Sequence, residues 1–144
     1  MNTDLSDVLN TEFDAPTQAQ NLPAGADIKF RVHKVRTDVV PNDKKTPFAE
    51  LTLVPKEVVN ADGLTTGDLV GYYPVKGKLW LSADSMTVTG DILRRSFRID
   101  TAGQTVAQVL DNLIGAEVRA TVKHRVTDQG KTFVEIDKWL RPAA

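Results

Sequence analysis

The segment from Arg119 to Trp139 carries Arg119, Lys123, Arg125, Phe133 and Trp139, cations and aromatic rings that a hairpin would set on one face. Thr127-Asp128-Gln129-Gly130-Lys131 suits a three-residue hairpin loop, a type I turn followed by Gly130 in the left-handed conformation. Pairing Thr127 with Lys131 then fixes every other pair. Val122 faces Ile136 and Val118 faces Leu140 on the core side, while the other side receives Arg125 beside Phe133, Lys123 beside Glu135, and Arg119 beside Trp139. Diffuse positive charge suits phosphates and flat apolar rings suit unstacked bases, each stacked base contributing about 1–3 kcal/mol. The competing reading is structural: Phe133 and Trp139 cover a barrel end or dock another segment, and Lys123 and Glu135 neutralise each other.

Catalytic constellations are missing by comparison. His33 and His124 are the only histidines, and parity puts His124 on the apolar side near a strand end, where a satisfied structural role fits better than catalysis. Gly77-Lys78 is followed by Leu79 in place of the Ser or Thr that a phosphate-binding loop uses for magnesium. Glu135-Ile136-Asp137 has no further recognisable metal ligands around it. The expectation is a non-enzymatic protein with no cofactor and no metal. Arg94, Arg95 and Arg98 form a cationic run that reads first as a solvated face.

Positioning these side chains requires a particular order of elements. Three alternating runs come first, roughly Ile28 to Arg36, Phe48 to Val59 and Asp68 to Leu81. In the first, Val35 has the wrong parity after Ile28, Phe30 and Val32, and a bulge near His33 or Lys34 restores it. Pro55 argues that the second run is bulged or at an edge. The third holds Tyr72, Tyr73 and Trp80; adjacent tyrosines point to opposite faces, so one of the two belongs to the core. A short helix is predicted from about Gly90, and a clearer one follows: Thr101 or Thr105 caps it, Val106, Val109, Leu110 and Leu113 form its apolar face, and Gly115 ends it. The hairpin closes the chain. Three strands, a helix and a hairpin predict a mainly β fold, a five-stranded OB-like barrel with a helix between strands 3 and 4. Lys44 and Lys45 then fall in the loop joining strands one and two, with Asn42-Asp43 beside them, a loop such barrels use to clasp ligands.

Composition sets the outer bounds. The 144 residues are 41% hydrophobic, enough for one core. The division predicted is an acidic flexible arm over residues 1–22 and a barrel over 23–144. Leu5, Val8, Leu9 and Phe13 give the arm the spacing of a short amphipathic helix. Asp4, Asp7, Glu12 and Asp14 fall in the first 25 residues, which contain no Lys or Arg, leaving 18 basic against 15 acidic side chains (19 less those four) in the rest of the chain. The absence of cysteine excludes disulfides and zinc knuckles. Without a signal peptide pattern or a membrane-length apolar run, the expectation is a soluble, cytoplasmic protein that engages no membrane.

Leu22-Pro23-Ala24-Gly25, with an acidic arm before it and an alternating basic strand after it, resembles the opening of a family of small bacteriophage-encoded proteins. These sit among replication and recombination functions and are similar to single-stranded DNA-binding OB-fold proteins. Leu113-Ile114-Gly115 leading into Glu117-Val118, then the hairpin, extend the likeness over the body of the chain. The chain departs from the family's opening in having Ala26-Asp27 where an aromatic is usual, and from cellular single-strand binders in carrying its acidic segment at the N-terminal side. The resemblance implies a non-catalytic single-stranded DNA-binding protein of low sequence specificity, acting in phage DNA replication or recombination alongside proteins of those processes. Arg119, Lys123, Arg125, Lys44, Lys45 and Arg31 are then expected to track phosphates. Trp139, Phe133 and one of Tyr72, Tyr73 or Trp80 are expected to stack bases. The alternative is a protein-interaction module, an adaptor or inhibitor of a host factor on the same barrel; homo-oligomerisation stays open.

Overall fold

The alternation that turns Ile28, Phe30 and Val32 inward builds the first of five strands that close on one another. A computed structural model describes residues 9, 20–41 and 44–142. Its strands are β1 (Asp27–Val39), β2 (Pro47–Asn60), β3 (Val75–Trp80), β4 (Glu117–Val126) and β5 (Thr132–Leu140). Two helices, α1 (Met86–Arg95) and α2 (Val106–Leu113), lie between β3 and β4. The strands hydrogen-bond in a closed ring, β1-β2-β3-β5-β4 and back to β1. Neighbours are antiparallel except β3 and β5, which run parallel. The expected OB-like barrel with a helical connection between strands three and four is therefore the fold.

Bulges allow the ring to close. Val32 pairs with Leu53 and Lys34 with Thr52, so His33 is the extra residue on β1. It returns Val35 to the core side and leaves His33 and Lys34 both exposed, which strict alternation would forbid. The β1–β2 ladder also skips Lys56, next to Pro55, and the β2–β3 ladder ends at Leu53, so the missing proline N–H falls where pairing is already broken. The interior is filled by Phe30, Ile28, Leu51, Leu53, Val75, Leu79 and Val122, joined by Leu93 of α1 and Leu113 of α2.

Several sequence expectations need correction. Predicted to open at Asp68, the third strand begins only after Pro74. Thr65 donates from its N–H and Oγ1 to Asp68 (3.0 and 2.9 Å), and this cap starts a 3-10 turn over Thr66–Gly71 instead. Helix α1 starts at Met86, ahead of the predicted Gly90. A turn at Ser82–Ser85 launches it, and the Thr89 hydroxyl donates to the Trp80 carbonyl (2.6 Å) rather than competing for the helix backbone. Helix α2 follows expectation, with Thr105 and Gln108 exchanging capping bonds, although Val106 is exposed. Leu22, assigned by sequence to the arm, is 1% exposed in the core. The N–H of Gln20 donates to the Gly71 carbonyl and the N–H of Tyr73 to the Gln20 carbonyl (both 2.9 Å), so the chain is tied to the folded body from Gln20 onward, ahead of β1. The predicted amphipathic segment lies outside the described residues apart from Leu9, and Asn42-Asp43 lies outside them entirely.

Candidate nucleic-acid interface

Parity along β2 sends Ala49, Leu51 and Leu53 inward and Phe48, Glu50 and Thr52 outward; along β3 it sends Val75, Gly77 and Leu79 inward and Lys76, Lys78 and Trp80 outward. Register then sets Phe48 against Trp80, Glu50 against Lys78 and Thr52 against Lys76. Phe48 and Trp80 meet edge to face, with ring centroids 5.8 Å apart at 62°. Phe48 is the lower ring at 6% exposure and Trp80 the upper at 39%. The Lys78 ammonium lies 4.8 Å from the Phe48 centroid and 5.8 Å from that of Trp80, and the Arg36 guanidinium lies 5.9 Å from Phe48. Asp38 anchors Arg36 at this edge. Accepting bonds from the Val39 N–H and from Arg36 holds the Asp38 carboxyl below the usual carboxylate range.

A second aromatic station stands on the hairpin. The predicted register holds from the loop inward: Arg125 pairs with Phe133, Lys123 with Glu135 and Val122 with Ile136, and Gly130 has φ 79°. Arg125 covers Phe133 at 5.0 Å from the ring centroid, and Phe133 remains 46% exposed. Lys76 of β3 is level with Glu135 of β5 across the parallel seam. Trp80 and Phe133 thus lie about six residue rises apart along the strand direction, roughly 20 Å at ~3.3 Å per residue. A groove of about 570 Å³ connects them, lined by Lys76, Lys78, Lys123, Arg125 and the two rings, with Glu50 and Glu135 on its floor.

The carboxylates do not cancel the cations one for one. Glu135 accepts from Arg125 Nε (2.6 Å) and is not ion-paired with Lys123, its neighbour across the ladder. Glu50 meets Arg36 and Lys76 (3.4 and 4.0 Å), and Lys76 also donates to Thr52 Oγ1 (2.7 Å). Among the described residues neither Lys78 nor Lys123 has an ion pair. The surface therefore offers two rings, one at each end, and unneutralised ammonium groups between them.

No family model matches the chain, and no curated protein is significantly similar to it. Function is argued from the groove itself.

Of the residues singled out in the sequence, Trp80, Lys123, Arg125, Phe133 and Trp139 line this groove. Trp139 is held differently from expectation. A register shift after Val122 pairs it with Ala120, and Arg119 with Leu140. Its ring lies where a Cβ on Gly77 would stand, 2.7 Å away, and tilts against Phe97 at 5.3 Å, so it plugs the seam and presents only part of its surface to the groove. Arg119 points elsewhere: its guanidinium grips Asp27 (2.9, 2.9 and 2.5 Å), and this pairing raises its pKa. Arg31 lines a separate depression beside Gly115. Tyr72 packs against the core, the predicted fate for one of the pair, and exposed Tyr73 is tied by its backbone to Gln20, outside the groove. Lys44 and Lys45 are exposed on the loop that enters β2 at Pro47, at the Phe48–Trp80 end. His124, expected on the apolar side, is exposed instead; because the Leu22 carbonyl can only accept, its Nε2 donates there (2.6 Å).

Sequence reasoning missed Phe48, Lys76, Lys78 and Arg36. The signal for Phe48 was available, since placing Ala49, Leu51 and Leu53 inward puts it outward; its apolar character hid it. Lys76 and Lys78 needed the true start of β3.

Proposed function

We propose that this chain is a non-catalytic single-stranded DNA-binding module of low sequence specificity. The observation that carries the reading is the pairing of two aromatic stations, Trp80 over Phe48 and Phe133 under Arg125, on one groove whose intervening cations include Lys78 and Lys123, which have no ion pair among the described residues. Flat rings accept any base and ammonium groups follow any phosphate, so such a groove holds a strand without reading its sequence. A duplex keeps its bases stacked and offers the rings nothing. The replication or recombination setting rests on the resemblance at Leu22–Gly25 and Leu113–Val118 alone.

Fluorescence anisotropy of a labelled oligo-dT, titrated with the protein at several salt concentrations and challenged with duplex, tests the reading. Salt-sensitive binding that duplex fails to displace supports it. Absence of binding at low salt rejects it and leaves the protein-interaction reading.

A further inference from the structure

A second basic surface adjoins the groove on the side away from the hairpin. Lys76, at the groove's edge, pairs with Thr52 of β2, and Thr52 pairs with Lys34 of β1. Two strand spacings, about 10 Å, separate Lys76 from Lys34. Beyond Lys34 lies a depression of about 330 Å³, lined by Arg31, His33, Lys56, Ile114 and Gly115 among others, with no carboxylate in its lining. The β1 bulge is what brings His33 and Lys34 to the surface together. Charge balance distinguishes this patch from its surroundings. Nearby Lys29 is satisfied by Glu117 (3.1 Å) and Glu57 (4.0 Å), whereas among the described residues Arg31, Lys34 and Lys56 have no ion pair.

We infer that this depression is a second phosphate-binding station, occupied by the continuation of a single strand that leaves the groove past Lys76, Thr52 and Lys34. The inference rests on the single-strand reading of the groove and extends it. Phe, Tyr and Trp are absent from the depression's lining, so the station grips the backbone and offers no large ring for a base to stack on. Its contribution is electrostatic and reaches only strands long enough to arrive there. Binding is therefore biphasic in length: short oligonucleotides use the groove alone, and longer ones gain affinity and salt dependence from the second station.

The test compares the 144-residue chain with its Arg31→Ala/Lys34→Ala/Lys56→Ala variant, using oligo-dT of about 6 and about 20 nucleotides, which bracket the usual OB-fold site sizes. All three side chains are exposed, and circular dichroism checks that the variant folds. For the longer strand, the slope of log affinity against log salt should fall by about 2, at ~0.7 per lost phosphate contact, with about tenfold weaker binding at low salt. The shorter strand should bind both proteins alike, and Arg95→Ala, which removes one positive charge on α1, should match the wild type. Equal slopes for the long strand, or equal weakening at both lengths, overturns the second station and leaves the groove standing. Failure of the wild-type protein to bind either length overturns both.

Discussion

Trp80 and Trp139 illustrate how one residue type takes two roles through its surroundings. Trp80 meets Phe48 edge to face and stays 39% exposed, so Trp80→Ala should cost about 1–3 kcal/mol of oligonucleotide affinity, the contribution of one stacked base, with a small effect on the thermal midpoint. Trp139 is wedged between Gly77 and Phe97, so Trp139→Ala should lower the midpoint markedly. Its cost should approach the ~3 kcal/mol lower end of the range for buried aromatics, because the ring is only partly covered. Thermal denaturation run beside anisotropy separates the two. Lys123→Ala should reduce the salt slope by about 0.7 and leave stability unchanged, since Lys123 has no ion pair among the described residues. The sequence made Trp139 and Lys123 look equivalent, two members of one alternating face. The register shift after Val122, invisible to parity, separates them.

Strands and turns impose their own tests. Gly77 is a β3 residue whose missing side chain makes room for the Trp139 ring; Gly77→Ala should destabilise by about 1–3 kcal/mol through overpacking, detectable as a lower denaturant midpoint with unchanged slope. The 3-10 turn before β3 is pinned by Asp68, whose carboxyl is held below the usual range by bonds from the Thr65 N–H and Oγ1. A depressed folded-state pKa contributes stability above the ordinary carboxylate pKa of about 3.9 and loses it as pH falls through the lower folded value. An NMR titration should place the Asp68 midpoint below that ordinary value, and Thr65→Val should move it upward. Elements governed by contiguous residues were legible: the Gly130 turn, the Thr105 cap and the His33 bulge all follow from local pattern. The third strand and α1 were misplaced because their limits depend on Thr65 meeting Asp68 and on Thr89 reaching back to the Trp80 carbonyl. The second of these joins a helix to a strand end, which no periodicity records.

At the scale of the whole molecule, charge is divided between one acidic stretch and a mildly basic remainder. A segment bearing Asp4, Asp7, Glu12 and Asp14 and no cation should compete with phosphates for the groove. Deleting residues 1–19 should therefore raise oligonucleotide affinity a few-fold at low salt, with the advantage vanishing near 1 M salt, where the Debye length is about 3 Å. Equal affinities at low salt would show that the acidic stretch and the groove act independently. The sequence by itself determined the barrel, because inward-facing residues recur with period two in the strands and near 3.6 in the helix, and because burying those faces leaves few arrangements open. It also determined the hairpin face near its loop, where a single turn fixes the register. Only the tertiary structure decided that β3 lies parallel to β5, which brings Lys76 and Lys78 alongside Lys123 and Arg125, and that Asp27 claims Arg119. Lys76 and Glu135 stand 59 positions apart (135 less 76) and Asp27 and Arg119 stand 92 apart, and local patterning constrains which face a side chain takes without choosing its distant neighbour.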